Sequence, residues 1–126
     1  NTVVGREDGD YAFAPALESG WSDSAFYLRA ILPGVSEKDV NVSVRSNQLI
    51  LQGERKVPEQ WSRNIFTRLS YGKFYSAITL PDRLNLGKIK CRIRDGVLDV
   101  EVPISEDIEP RRIQVESGEW VSAIPA

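Results

Sequence analysis

Residues 89 to 104, IKCRIRDGVLDVEVPI, contain the pattern that decides the fold. Apolar and polar residues alternate on both sides of the central pair Asp95-Gly96. Successive side chains of a β-strand point to opposite faces, so each half is typical of a strand with one buried face. Asp95 and Gly96 both tolerate a positive φ, as a two-residue hairpin turn requires. The stretch therefore predicts a β-hairpin with one apolar face.

The same alternation occurs three more times upstream, in AFYLRAIL (25–32), VNVSV (40–44) and FYSAITL (74–80), and the short apolar segment QLILQ (48–52) follows the Ser46-Asn47 turn. The pairs Pro33-Gly34 and Pro81-Asp82 end two of these segments. SEKDV (36–40) is at most a turn. Each sheet built from such strands has one apolar face to bury, which predicts an all-β fold, an immunoglobulin-like antiparallel β-sandwich.

The 126 residues suffice for one domain with a hydrophobic core. Residues 1–22 mix Gly, Pro, Ser and acids without a period, and we interpret them as a loosely held N-terminal arm. Residues 23–105 form the predicted sandwich and 106–126 a C-terminal extension. The chain begins at Asn1 and contains no methionine, from which we expect a processed or truncated form.

Composition narrows the possible partners. The net charge of -2 gives no electrostatic reason to expect binding to nucleic acid or to an anionic membrane surface, because either partner would favour a concentrated basic face. No apolar run reaches the roughly 18 residues of a membrane helix. One cysteine and no histidine exclude an intrachain disulfide and the usual zinc site, so we expect no metal and a reducing, cytoplasmic location. Cys91 shares the apolar parity of its strand, which favours a buried, inert thiol.

Catalysis has little support. Without histidine, nucleophilic mechanisms of the Ser/His/Asp or Cys/His kind are excluded. Asp99 and Glu101 lie on one strand face and leave a carbohydrate hydrolase as a remote alternative, but a solvated outer face explains them better. The sequence lacks the spaced glycines of a phosphate-binding loop, so no phosphate site is predicted. We therefore expect neither enzymatic activity nor a cofactor.

One connection is unusually long. Residues 53–64, GERKVPEQWSRN, precede the short apolar IFTRLSY, and a connection of this length is uncommon in a compact domain unless it has a function. A dozen extended residues span about 40 Å, enough to place IFTRL on the sheet edge of another subunit. Trp21, Trp61 and Trp120 lie outside the strand patterns and either contact a partner or pack on their own domain.

Three blocks of the chain together resemble the small heat-shock proteins, whose shared unit is the α-crystallin domain. The blocks are LPGVSEKDVNVSVRSNQLILQGER (32–55), YGKFYSAITLP (71–81) and CRIRDGVLDVEVP (91–103), the last similar to the signature A-x-x-x-x-G-V-L-x-V-x-x-P with Cys91 in place of alanine. The resemblance runs from about Trp21 to Val115. It implies an ATP-independent chaperone that forms oligomers and keeps unfolding client proteins from aggregating.

The resemblance also gives roles to particular residues. A C-terminal I-x-I/V motif of the family docks in a groove of a neighbouring dimer, and Ile113-Gln114-Val115 matches it. The groove would be formed by residues of the VNVSV and IKCRIR strands: Val40, Val42, Val44, Ile89, Cys91 and Ile93. In the bacterial and plant branches, a loop strand is exchanged between the subunits of a dimer, which implies this role for Ile65, Phe66, Thr67, Arg68 and Leu69.

We hypothesise that unfolding clients bind to apolar side chains of the arm, namely Tyr11, Phe13 and Leu17. The reason is that they would expose apolar surface with no catalytic group beside it. One departure from the family is Ser76, which stands where many members have an arginine, so a dimer contact of that arginine is not transferred. The alternative hypothesis is a co-chaperone of similar shape that acts as a monomeric adaptor. Such an adaptor would need neither the long loop nor the Ile-x-Val motif.

Overall fold

Two antiparallel sheets pack face to face in the computed structural model, which describes residues 11–106 and 112–118. The first sheet has the order β1-β2-β7-β6 and the second β3-β4-β5. Short 3-10 turns cover Glu37–Asp39 and Leu86–Lys88. The predicted all-β sandwich is confirmed. Its strands are β1 Ala16–Trp21, β2 Ala25–Ile31, β3 Val40–Arg45, β4 Gln48–Arg55, β5 Gly72–Thr79, β6 Lys90–Arg94 and β7 Val97–Pro103.

The core consists of the apolar parity of the central strands. In the first sheet, β2 and β7 pair so that Leu28 lies opposite Val100, and both side chains are buried. The second sheet faces them with Leu49, Leu51 and Phe74, which are fully buried. In β2 from Phe26 onward and in β7, the alternate positions are exposed or half-buried, so the alternation read in the sequence is the division between core and surface. In β4, Ile50 is buried as well as its neighbours Leu49 and Leu51.

The predicted hairpin joins β6 to β7. Asp95 and Gly96 have φ values of 54° and 78°, the left-handed conformation that a two-residue turn requires at both positions. The turn sets a register in which Ile93 lies opposite Leu98. It therefore fixes which β6 side chains face the second sheet.

The structure differs from the prediction of a loosely held arm up to residue 22. Ala16–Trp21 form β1, which pairs with β2 along its length, with Leu17 opposite Ala30. β1 is an edge strand, and nearly all its side chains are exposed, so no alternation marks it in the sequence. Just before it, the main chain of Phe13 forms a parallel bridge to Phe74 in β5. Residues 1–10 of the arm lie outside the described residues.

A close approach between β3 and β4 explains the glycine of the Gly-Glu-Arg sequence. A Cβ added at Gly53 would overlap the carbonyl oxygen of Asp39 and lie 2.8 Å from the ring of Phe74. Backbone on one side and a fully buried ring on the other leave neither neighbour free to move. Only glycine fits at this position.

We expect Gly53→Ala to lower the free energy of unfolding by about 3 kcal/mol, near the upper end for an overpacked core. Gly20→Ala is the matched control, because a Cβ at Gly20 in β1 meets no atom within 4 Å. Urea denaturation of both variants at equal protein concentration measures the difference. Equal stability of the two would contradict the contact at Gly53.

Candidate functional site

A groove lies between the edge strands of the two sheets. Val40 and Val42 of β3 form one wall, Cys91 and Ile93 of β6 the other, and Leu98 of β7 also lines it, around a volume of about 360 Å³. The groove exists because β3 ends the second sheet and β6 ends the first, so neither strand pairs on its outer side with another strand of residues 11–106 and 112–118. Its apolar lining suits small aliphatic side chains.

The structure brings four of the six sequence-predicted groove residues together. The other two do not line this groove. Val44 lies further along β3 and is exposed, and Ile89 precedes β6 and packs against the core. Sequence reasoning missed Glu37, Arg92 and Leu98, which also line the groove. Glu37 and Arg92 are charged, so a search for alternating apolar residues does not select them.

The prediction of a buried Cys91 is wrong, because this residue is an exposed free cysteine. Its parity is correct, since Cys91 occupies the inward register of β6, opposite the buried Val100. However, β6 is an edge strand, and Cys91 faces the open groove instead of the closed core. Parity in the sequence specifies a face but not whether another element covers that face.

The C-terminal motif lies outside its own groove. Ile113 is 71% exposed and Val115 is 92% exposed. Removing such aliphatic side chains from water is favourable in free energy. The backbone of residues 112–116 belongs to no strand or helix. Two aliphatic side chains of this chain are therefore accessible to a second molecule.

The long loop connects β4 to β5 and forms no strand of its own. Ile65–Leu69, predicted for subunit exchange, are all exposed, with Phe66 at 79%. The hydroxyl of Thr67 accepts a hydrogen bond from the N–H of Leu69 at 2.9 Å. Trp61, in the same loop, is also exposed. The loop thus holds a cluster of apolar side chains that its own domain does not cover.

The base of this loop is anchored by a buried arginine. The guanidinium of Arg55, at the end of β4, lies 5.3 Å from the ring centroid of Tyr71, a cation–π arrangement. Arg55 is almost fully buried, and in register it lies opposite Gly72, where β5 begins. The loop therefore leaves and re-enters the sandwich at one fixed point.

The predicted client-binding residues lie against the domain. The Tyr11 ring is 5.1 Å from the ring of Tyr75, and the Phe13 ring is 5.5 Å from that of Phe74, measured between centroids. Leu17, in β1, packs against the core. All three are only partly buried, so they form a layer on the outside of the core.

The two carboxylates considered for hydrolysis belong to a row of charges across the first sheet. Asp99 accepts a hydrogen bond from Nε of Arg29 at 2.9 Å, and Arg29 also lies 3.5 Å from Glu18. The hydrogen bond and charge of Asp99 raise the pKa of Arg29 above its ordinary value, which keeps this side chain cationic. Glu101 lies opposite Tyr27 and Lys90 in register. This arrangement is the solvated strand face expected from the sequence.

Ser76 lies in β5 on the same face as Phe74 and is fully buried. Its hydroxyl has no hydrogen-bond partner in the part of the chain that the structure describes. Among the described residues, no group of three potential ligands could hold a metal ion.

Trp21 packs edge-on against Phe26, with ring centroids 5.0 Å apart, and Trp120 lies outside the described residues.

Comparison with known proteins agrees with this geometry. Residues 19–116 match the model of the Hsp20/alpha crystallin family. The chain belongs to this family. It is 34% identical over 115 residues to spore protein SP21 of Stigmatella aurantiaca, an alignment that covers 90% of this chain and 68% of that protein. Small heat shock protein C2 of Rickettsia felis is 29% identical over 104 residues, covering 81% and 68% of the two chains.

The structural likeness extends over the sandwich. The crystal structure of a small heat-shock protein from Xylella fastidiosa, described as having a distinct high order structure, has a TM-score of 0.67 and 32% identity, covering 82% of this chain and 97% of that one. The resemblance inferred from the sequence blocks is thereby confirmed. No helix within residues 11–106 and 112–118 has the length and apolar character needed to cross a bilayer.

Proposed function

We propose that this α-crystallin-domain protein is an ATP-independent holdase, which binds unfolding proteins, prevents their aggregation and assembles from dimers into higher oligomers. One observation carries the proposal: the same chain has an apolar groove lined by Val40, Val42, Cys91 and Ile93 and an exposed aliphatic pair, Ile113 and Val115, whose burial in such a groove would be favourable. Residues two apart in an extended segment face the same way. Both side chains can therefore enter the groove of a second copy while Gln114 stays in water.

The balance of energies favours a reversible contact. Burying an isoleucine and a valine side chain contributes roughly 3 to 6 kcal/mol, and ordering a flexible backbone costs about 1 to 2 kcal/mol per residue. A single docked motif is accordingly weak, whereas several such contacts in one assembly reinforce one another through effective concentration. An oligomer built this way releases subunits readily, and apolar surface becomes available when clients unfold.

The docking proposal predicts that Ile113→Ala/Val115→Ala reduces the assembly to dimers. Wild-type protein at high concentration should have a mass above that of a dimer in light scattering, because it retains the aliphatic pair that the double variant lacks. Gln114→Ala is the matched control and should assemble like the wild type. Equal masses for the wild type and the double variant would remove the motif from assembly.

Cys91 supplies a direct readout of the same prediction, since it is the only cysteine and lines the groove. In assembled wild-type protein a thiol reagent should label Cys91 more slowly than in the double alanine variant. On dilution below the assembly range, the two labelling rates should converge. Identical rates at high concentration would place the docked motif somewhere other than this groove.

The proposed dimer arises from exchange of the segment Ile65–Leu69 between two copies. The loop supports this proposal because its apolar residues lie uncovered and its ends are fixed at Arg55 and Gly72. A receiving edge is available in β1, which pairs only with β2 among the described strands. Pairing across subunits would give the loop backbone the hydrogen bonds of a strand.

Strand exchange predicts that Phe66→Pro/Thr67→Pro yields a monomer. Two consecutive prolines remove the N–H groups of both parities, so whichever one faces the receiving strand is lost. Phe66→Ala/Thr67→Ala controls for the side chains and should remain largely dimeric. Sedimentation at equal concentrations distinguishes the two, and a proline variant that stays dimeric would exclude this loop from the dimer contact.

We propose that Tyr11, Phe13 and Leu17 contribute to client capture, Tyr11 and Phe13 once they leave the domain surface and Leu17 from its partly buried position in β1. Few backbone hydrogen bonds hold the segment before β1, including Ala12 N–H to the carbonyl of Lys73 at 2.7 Å. Such an attachment can open at low cost.

A reducing, cytoplasmic location remains the expectation from the single cysteine.

Holdase activity predicts lower light scattering when an aggregating model protein is heated with an equimolar amount of this protein, without nucleotide. Tyr11→Ala/Phe13→Ala should suppress scattering less well, because it removes two aromatic side chains from the capture surface. Light scattering that the wild-type protein leaves unchanged would refute the proposed holdase activity. A mass that stays monomeric at every concentration would instead favour the adaptor.

A further inference from the structure

The outer face of the edge strand β1 carries a charge and a gap. Glu18 lies opposite Arg29 in register, and their side chains are 3.5 Å apart. Asp99 holds Arg29 more closely, at 2.9 Å, and the Glu18 side chain is 61% exposed. Gly20 lies opposite the exposed Tyr27, and a Cβ added at Gly20 would meet no atom of residues 11–106 and 112–118 within 4 Å. A strand added to β1 therefore meets a carboxylate at one position and an empty space two residues further on.

The inner face of β1 is apolar near both ends of the strand. Leu17 lies opposite Ala30 and packs against the core. Trp21 lies opposite Phe26 and remains more than half exposed. Between them, Ser19 shares the same face. An added strand must therefore bring apolar side chains to this face if it is to continue the core.

The segment Ile65–Leu69 has an alternation that suits these two faces. In an extended conformation Ile65, Thr67 and Leu69 share one face. Phe66 and Arg68 share the other. All five are exposed, and Arg68 forms no ion pair within residues 11–106 and 112–118. Because burying a guanidinium without a partner is costly, Phe66 and Arg68 have to face outward when the segment joins a sheet.

We propose that this segment of a second copy pairs antiparallel with β1 in one register, with Arg68 opposite Glu18 and Phe66 opposite Gly20. The two residues of the segment are two apart, the two residues of β1 are two apart, and their order is reversed, as an antiparallel pair requires. Arg68 thereby gains a carboxylate, and the phenyl ring covers the backbone that the edge glycine leaves bare. This inference rests on the proposed strand exchange and adds its direction and register.

The inner face supports the same register. Two of the cross-strand pairs that form there bury apolar surface, and the middle one joins two hydroxyl groups, a favourable combination in sheets. These pairs are Leu69 with Leu17, Thr67 with Ser19, and Ile65 with Trp21.

Other arrangements lose at least one of these contacts. A shift by one residue would turn Arg68 to the inner face. A shift by two residues would keep the faces but separate Arg68 from Glu18. A parallel strand with Arg68 opposite Glu18 would place Phe66 opposite Ala16 and leave Gly20 without the ring. The antiparallel register is therefore the one that satisfies both outer positions together.

Reversing one charge at a time tests the outer ion pair. Arg68→Glu and Glu18→Lys should each raise the dimer dissociation constant about tenfold, because a like-charge contact then occurs twice in every dimer. A mixture of the two variants should form heterodimers at wild-type concentrations, since both contacts again join opposite charges. Arg63→Glu, at an exposed position earlier in the loop, is the matched control and should dimerise like the wild type. Native mass spectrometry distinguishes homodimers from heterodimers.

Glu18→Lys also removes the ion pair with Arg29 of its own chain. Circular dichroism therefore has to show that this variant is folded before its dimerisation is compared.

A disulfide across the proposed pair tests the register itself. In a Cys91→Ala background, Gly20→Cys/Phe66→Cys should form a disulfide between subunits under mild oxidation, because directly opposite Cβ atoms are about 5 Å apart. Gly20→Cys/Arg68→Cys is the matched control, and its cysteines are displaced by two residues, about 7 Å along the strand. It should cross-link much more slowly at concentrations where sedimentation shows both variants to be dimers. Non-reducing electrophoresis measures the two rates.

The outcomes separate the register from the exchange. A control that cross-links as fast as Gly20→Cys/Phe66→Cys, or a mixture of charge variants that forms no heterodimer, would overturn the register. If the dimer nevertheless disappears in Phe66→Pro/Thr67→Pro, strand exchange stands and only the pairing is wrong. A dimer that survives those two prolines would refute exchange and register together.

Discussion

The structure depends on the burial of two apolar sheet faces against each other. Leu28 and Val100 on one side and Leu51 and Phe74 on the other exclude water from the interior. A sandwich of this kind must end in edge strands, because its sheets do not close into a barrel. β1 and β6 form the edges of one sheet and β3 and β5 those of the other. The open edges are where other chain segments can bind.

Each edge has a different environment. The segment around Phe13 runs beside β5 and contributes backbone hydrogen bonds to it, so this edge is partly covered by the same chain. β3 and β6 border the apolar groove, and β1 remains the edge available to an exchanged strand. If the proposed contacts form, self-association uses the edges that the single chain leaves open. A large apolar surface that is covered only reversibly is also what a holdase requires.

The sequence predicted the central strands and the Asp95-Gly96 hairpin because their signals are local: period-two alternation and turn residues with positive φ. It did not predict β1, since an edge strand with exposed side chains lacks the alternation. It also placed Cys91 on the correct face but in the wrong environment. Whether Cys91 faces a closed core or an open groove depends on β3, some 50 residues away, and no local pattern carries that information.

The site shows the same division. Parity selected Val40, Val42, Cys91 and Ile93, which line the groove, but equally Val44 and Ile89, which do not. Glu37 and Arg92 could not be selected, because charged residues on turns and outer strand faces are common and their meaning comes from the tertiary arrangement. The apolar side chains that line the groove can supply affinity for an aliphatic segment. If the proposed docking forms, its reversibility follows from the small number of side chains buried at each contact.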